Sequence, residues 1–81
     1  MADRTLKLRV LRRILGRYGV HEDSSRGKGS HILFCKVFSE GTFSYPVPDE
    51  PDVLVCYVRG CRRKFRLTVA DGVSDREFYR R

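Results

Sequence analysis

The sequence predicts an α+β fold in which one helix precedes three strands and a second helix follows them. Apolar residues recur at three- and four-residue spacing in the first quarter of the chain, alternate between about residues 30 and 47, and return to helical spacing after residue 52. Because 81 residues can bury only one small core, we expect a single domain spanning residues 1–81.

The first helix is predicted over Thr5 to Tyr18. Its apolar stripe consists of Leu8, Leu11, Ile14, Leu15 and Tyr18. The side chain of Asp3 or Thr5 can cap the start of this helix, and Gly19 can end it in the left-handed conformation.

Three strands are expected between residues 20 and 47. Val20 to Ser25 forms a short first strand, Ser30 to Phe38 the second, and Thr42 to Val47 the third. Ser39-Glu40-Gly41 supplies the hairpin turn between the last two strands. Pro46 lacks a backbone N–H, which indicates that the third strand lies at an edge of the sheet or ends there.

The second helix is predicted to start near Asp49, whose side chain can cap it, with Pro51 in its first turn. Its core stripe consists of Leu54, Tyr57, Val58, Cys61 and Phe65. A basic flank beside the stripe consists of Arg59, Arg62, Arg63 and Arg66. Like charges at this spacing repel one another, which favours an anionic ligand for this flank over a merely solvated helix face.

A short last helix is predicted near the C-terminus. Ser74 and Glu77 have the spacing of a capping box, which marks a helix start. Phe78 and Tyr79 are expected to dock this helix on the body of the domain, and a charged tail without fixed structure is the alternative.

The charge balance indicates a polyanionic partner. Seventeen Lys and Arg residues against ten Asp and Glu residues leave a formal net charge of +7. Thirteen of the seventeen cations are arginines, whose planar guanidinium can donate two hydrogen bonds to one phosphate. A solvated basic surface without a partner is the alternative.

The composition also excludes several classes of protein. No apolar run approaches the roughly 20 residues that span a bilayer, and the N-terminal residues do not resemble a signal peptide, so we expect a cytoplasmic protein. Cys35, Cys56 and Cys61 are odd in number and lack CxxC spacing, which predicts reduced, buried thiols and argues against a zinc site. We expect no metal and no cofactor.

The stretch Gly27-Lys28-Gly29-Ser30-His31 is the candidate site for chemistry. It joins two glycines, a cation, a hydroxyl and an imidazole directly before an apolar strand. Imidazole is the side chain that ordinarily titrates near neutral pH, so His31 is the first candidate for proton transfer. The alternative is a buried histidine that is bonded to a carbonyl group.

These features together resemble the HicA toxins of bacterial toxin–antitoxin systems. The resemblance covers about residues 5–67, which we take as the core of the domain, and residues 68–81 form a C-terminal extension. It rests on the helix that ends at Gly19, on Lys28-Gly29-Ser30-His31 followed by Ile32-Leu33-Phe34, and on Val47-Pro48 at the end of the third strand. Many relatives place a histidine soon after this Val-Pro pair, where the present chain has Asp49 and Glu50.

The resemblance implies a double-stranded-RNA-binding-domain-like α-β-β-β-α fold, with a three-stranded antiparallel sheet and the helices on one of its faces. It also implies an mRNA-cleaving, metal-independent endoribonuclease of a type II toxin–antitoxin system that a HicB-type antitoxin protein neutralises. The catalytic histidine of the family then corresponds to His31, and Gly29 and Ser30 form the turn that aims it.

RNA cleavage without a metal requires a base for the ribose 2′-hydroxyl, an acid for the leaving oxygen, and cations that stabilise the phosphate. His31 suits the first or the second role, and Tyr45 is the first candidate to assist it. The candidate RNA-binding cations are Lys28, Arg59, Arg62 and Arg63. A non-catalytic RNA-binding module and a basic interaction module are the alternative functions.

Overall fold

A computed structural model describes residues 3–23 and 29–80 and has an α+β fold with two small sheets. The strands are β1 (Leu6–Lys7), β2 (His21–Glu22), β3 (His31–Phe38), β4 (Gly41–Pro48) and β5 (Asp52–Val53). The helices are α1 (Leu8–Arg17), α2 (Val55–Lys64) and α3 (Asp75–Phe78), with a 3₁₀ turn over Val69–Asp71. No helix among these residues is long and apolar enough to cross a membrane.

The larger sheet is antiparallel with the strand order β2-β3-β4. Phe34 lies opposite Tyr45, and a two-residue turn joins β3 to β4 before Gly41, whose φ is +139°. The predicted hairpin and the edge position of Pro46 are confirmed for the described strands. The predicted first strand is seen as the two residues of β2, and Ser24 and Ser25 lie outside the described residues.

The smaller sheet, β1 paired with β5, was not predicted. Leu6 lies opposite Val53, and both side chains are buried. This pairing replaces the first turn predicted for each helix, because the extended backbone lets both side chains reach the core. The helices therefore begin after Lys7 and Leu54, and the predicted caps at Asp3, Thr5 and Asp49 are wrong.

One hydrophobic core joins both sheets and the helices. Its members that are less than 2% exposed include Leu11, Ile14, Leu15, Phe34, Val47, Val53, Val58, Cys61, Phe65 and Phe78. The predicted stripes of the two helices are thus largely buried, except that Leu54 precedes α2 and is 58% exposed. Burial raises the pKa of the Cys61 thiol to about 12, whereas Cys56 is exposed, contrary to the prediction of buried thiols.

The C-terminal extension packs on this core, as predicted. The Ser74 hydroxyl accepts a hydrogen bond from the backbone N–H of Glu77 at 3.0 Å, which caps α3. The rings of Phe78 and Tyr79 are buried, and Gly72 ends the preceding 3₁₀ turn with a φ of +91°. The core therefore continues well beyond residue 67.

Candidate active site around His31

His31 is the first residue of β3, and its side chain is exposed. Gly29 precedes it with a φ of +66°, a left-handed conformation that a residue with a Cβ rarely adopts. The Ser30 hydroxyl lies 3.3 Å from Nδ1 of His31 and holds that edge of the ring. Nε2 is the ring nitrogen left for a ligand, and the alternative of a buried histidine is wrong.

A cavity of about 210 Å³ opens at this end of the sheet. Its wall includes His31 and Gly29 together with four charged residues, Arg12, Glu22, Asp23 and Asp49. Arg12 comes from α1, Glu22 and Asp23 are the last residue of β2 and the residue after it, and Asp49 follows β4. The fold therefore surrounds the candidate histidine with one guanidinium and three carboxylates that the sequence had not grouped with it.

Arg12 and Glu22 form a two-point ion pair in the wall of this cavity. Nε of Arg12 donates to one carboxylate oxygen at 2.7 Å, and Nη2 donates to the other at 3.2 Å. Both side chains remain well exposed, so the pair is accessible to a ligand. Arg12 also lines a second groove of about 360 Å³ together with Lys7, Arg9, Asp49 and Glu50.

Asp49 is held beside His31 by the backbone. Its N–H donates to the carbonyl of Ser30 at 2.6 Å, and the preceding Pro48 lies directly opposite His31 in the sheet. Asp49 therefore follows the Val47-Pro48 pair at the end of β4 that lies against the start of β3. It lines the same cavity as His31.

Tyr45 cannot assist His31 in this fold. It lies opposite Phe34, and successive residues of a strand point to opposite faces, so Tyr45 and His31 face away from each other. Its ring packs on α2, where it leaves no room for a Cβ at Gly60. Burial there raises the pKa of the Tyr45 hydroxyl. The predicted supporting role of Tyr45 is wrong.

Arg62 is a structural residue and is not available to RNA. Its side chain is only 4% exposed, and it donates to Asp3 at 2.9 Å, to Asp75 at 2.7 Å and to the carbonyls of Leu67 and Val73. A guanidinium whose donors are occupied inside the protein cannot bind an external phosphate. The prediction that Arg62 binds RNA is therefore wrong.

The other predicted cations have different surroundings. Arg59 is exposed but lies 3.6 Å from the Asp3 carboxylate, whereas Arg63 is exposed and has no carboxylate within 4 Å among the described residues. Both belong to α2, and neither lines the cavity beside His31. Lys28 lies outside the described residues.

The second histidine is not close to the first. His21 lies opposite Cys35, four residues along β3 from His31, which places the two about 13 Å apart along the strand. They share the open face of the sheet but cannot act on one phosphate.

Comparison of the chain with protein-family models, curated proteins and solved structures finds no match.

Arg12 and Asp49 are the residues of this candidate site that sequence reasoning missed. Arg12 is one of several arginines on α1, and helical spacing does not reveal which of them faces the end of a sheet that forms later in the chain. The signal for Asp49 is its position directly after Val47-Pro48, at the end of the strand predicted to pair with the strand of His31. Its ability to cap a helix pointed to a different role.

Proposed function

We propose that this protein is a HicA-like toxin, a cytoplasmic endoribonuclease that cleaves mRNA with His31 as its catalytic residue. The observation that carries the proposal is the exposed imidazole of His31, held by Ser30 at the mouth of a cavity that also contains a guanidinium. The succession of α1, β2, β3, β4 and α2 supports a double-stranded-RNA-binding-domain-like topology.

In the proposed reaction, a base removes the proton of the ribose 2′-hydroxyl, and the 2′-oxygen attacks the adjacent phosphorus. The bond from phosphorus to the 5′-oxygen breaks, and an acid protonates that oxygen as it leaves. The products are a 2′,3′-cyclic phosphate and a free 5′-hydroxyl. We assign the acid role to His31 and the base role to Asp49, the carboxylate that follows the residue opposite His31.

The proposed partner in the cell is a HicB-type antitoxin. A toxin with an exposed catalytic histidine requires a tight inhibitor, and a protein that covers Gly29 to His31 blocks the cavity directly. Unpaired arginines such as Arg63 would attract an acidic partner and speed its association.

A non-catalytic RNA-binding module is the second candidate. It is favoured by the position of Arg59 and Arg63 on α2, away from the cavity beside His31. Double-stranded RNA is recognised mainly through its phosphates and 2′-hydroxyls, for which such a surface suffices without any catalytic group.

The deciding experiment compares wild-type protein with His31→Ala on single-stranded RNA of randomised sequence and in a growth assay after induced expression. We expect His31→Ala to lose RNA cleavage and growth inhibition and to keep its circular dichroism spectrum, because an exposed side chain contributes little to the core. His21→Ala, which removes the other histidine, serves as the matched control and should remain active. Wild-type protein that binds this RNA without cutting it would support the second candidate instead.

A further inference from the structure

We propose that Arg12 binds the scissile phosphate and stabilises its developing charge, and that Glu22 orients the Arg12 guanidinium for this task. The inference rests on the proposed function and identifies the cation that the reaction requires. Arg12 neither forms nor breaks a covalent bond in the reaction. It supplies hydrogen bonds to the non-bridging phosphate oxygens, which gain negative charge as the 2′-oxygen attacks.

The first support is the geometry of the ion pair. A guanidinium has five N–H donors, and Glu22 takes two of them, one from Nε and one from Nη2. The remaining donors are on Nη1 and Nη2, the outer end of the side chain. Because Glu22 belongs to β2 and Arg12 to α1, the pair fixes a flexible side chain between two elements with these donors still available.

The second support is the electrostatic setting. Within residues 3–23 and 29–80, Arg12 is the one Lys or Arg that lines the cavity beside His31, and it faces Glu22, Asp23 and Asp49. A phosphate that enters beside three carboxylates is repelled unless a cation holds it there. The loss of Arg12 should therefore be far more costly than the loss of an ordinary surface arginine.

The neighbouring cations do not supply this function. Lys7 is paired with Asp52 at 2.8 Å, and Arg9 lines the second groove but not the cavity beside His31. Arg13 is exposed on the same helix and lines neither cavity. Arg13 is thus a matched control, because it is also an exposed arginine of α1 but lies outside the cavity in which the phosphate is proposed to bind.

The test measures kcat and KM for cleavage of randomised single-stranded RNA by Arg12→Ala, Arg12→Lys and Arg13→Ala. We expect Arg12→Ala to lower kcat/KM by at least about 100-fold, as loss of a transition-state donor does, and Arg13→Ala to stay within about twofold of wild type. Arg12→Lys keeps the charge but loses the forked donors, so it should recover only part of the activity.

Two further measurements separate catalysis from stability. The Tm of Arg12→Ala should fall by less than about 5 °C, because an exposed ion pair contributes little to folding. Added guanidinium ion should restore part of the activity of Arg12→Ala and none of that of His31→Ala. Glu22→Gln should lower kcat without raising KM, and a higher kcat/KM in this variant would overturn the orienting role.

The outcomes distinguish this inference from the proposed function. Absence of cleavage by wild-type protein overturns the proposed function itself. If wild type cleaves RNA, His31→Ala does not, and Arg12→Ala retains activity within about threefold of wild type, the proposed function stands and the role of Arg12 is wrong. Should Arg12→Ala fail to fold, full wild-type activity of Arg12→Lys would show that the forked donors are not needed, and the role proposed for Arg12 would be wrong.

Discussion

His31 and Asp49 show how a pair of single residues is placed by backbone geometry. The left-handed Gly29 turns the chain into β3, and the bond from the N–H of Asp49 to the Ser30 carbonyl ties down the segment that leaves β4. Both side chains therefore meet one cavity although they lie eighteen positions apart in the sequence. A carboxylate and an imidazole that meet in one cavity are the two groups that the proposed acid and base roles require.

We predict that Asp49→Asn lowers kcat by at least about 100-fold, because an amide cannot accept the proton of the 2′-hydroxyl. Asp49→His should stay partly active, because a neutral imidazole can also accept this proton. Glu50→Gln is the matched control, since Glu50 lines the second groove but not the cavity beside His31. Full activity of Asp49→Asn would remove Asp49 from the mechanism.

At the scale of elements, Arg62 of α2 joins the two ends of the chain. It binds Asp3 near the N-terminus and Asp75 at the start of α3, and its guanidinium lies 4.6 Å from the centre of the Phe78 ring. The Tyr79 hydroxyl donates to the same Asp3 oxygen at 2.6 Å. Burial and this bond to Asp3 raise the pKa of Tyr79 to about 12, so the phenol stays protonated.

We predict that Arg62→Met lowers the free energy of unfolding by about 3 kcal/mol, because it takes the nearest cation away from the largely buried carboxylate of Asp3. Arg63→Ala, the adjacent arginine on the exposed side of α2, should change it by less than about 0.5 kcal/mol. Urea denaturation of both variants checks this, and equal effects would contradict the assignment of Arg62 as a structural residue.

The contacts of Asp3 also make the stability of the protein depend on acid. Burial opposes ionisation of Asp3, but the bonds from Tyr79 and Arg62 outweigh it and lower the pKa of Asp3. A lowered carboxyl pKa contributes stability above its unfolded value of about 3.9, and this stability is lost as the pH falls through the folded value. Wild type should therefore lose stability below about pH 4 more steeply than Asp3→Asn does.

At the scale of the whole molecule, the carboxylates neutralise particular cations and leave others free. Arg12 is paired with Glu22, and Arg62 is paired with both Asp3 and Asp75. Arg66 is paired with Glu40, and Lys7 with Asp52. Among the described residues, Arg9, Arg13 and Arg63 have no carboxylate within 4 Å. Arg63 therefore presents unneutralised positive charge on the exposed side of α2, as one part of the chain's excess of +7.

We predict that binding of single-stranded RNA to His31→Ala protein weakens steeply with salt, because each contacted phosphate releases counterions. Three contacts give a slope of log affinity against log salt of about −2, which is about a 20-fold loss between 50 and 200 mM salt. Arg63→Ala should make the slope about 0.7 less steep if Arg63 is one of the contacts, and Arg62→Met should leave it unchanged. An affinity that does not depend on salt would show that this basic surface is only solvated.

Local patterns in the sequence determined the elements that depend on neighbouring residues. Helical spacing indicated the buried stripe of α1, alternation and the Ser39-Glu40-Gly41 turn indicated the β3–β4 hairpin, and the Ser74 and Glu77 pair marked the start of α3. The exposed position of His31 at the start of its strand also followed from local order, because glycines precede it and an apolar run follows. These features are set by residues within a few positions of one another.

Only the tertiary structure decided what depends on contacts between distant parts of the chain. Leu6 pairs with Val53 across almost fifty residues, and that pairing overrode two good helix caps because it buries both side chains. Arg62 is buried while Arg63 is exposed, although both lie in one run of basic residues, because Asp3 and Asp75 approach only one side of α2. Arg12 and Asp49 join His31 for the same reason. The cavity is formed by elements that meet in space, and the residue spacing within one element does not predict which other elements it will meet.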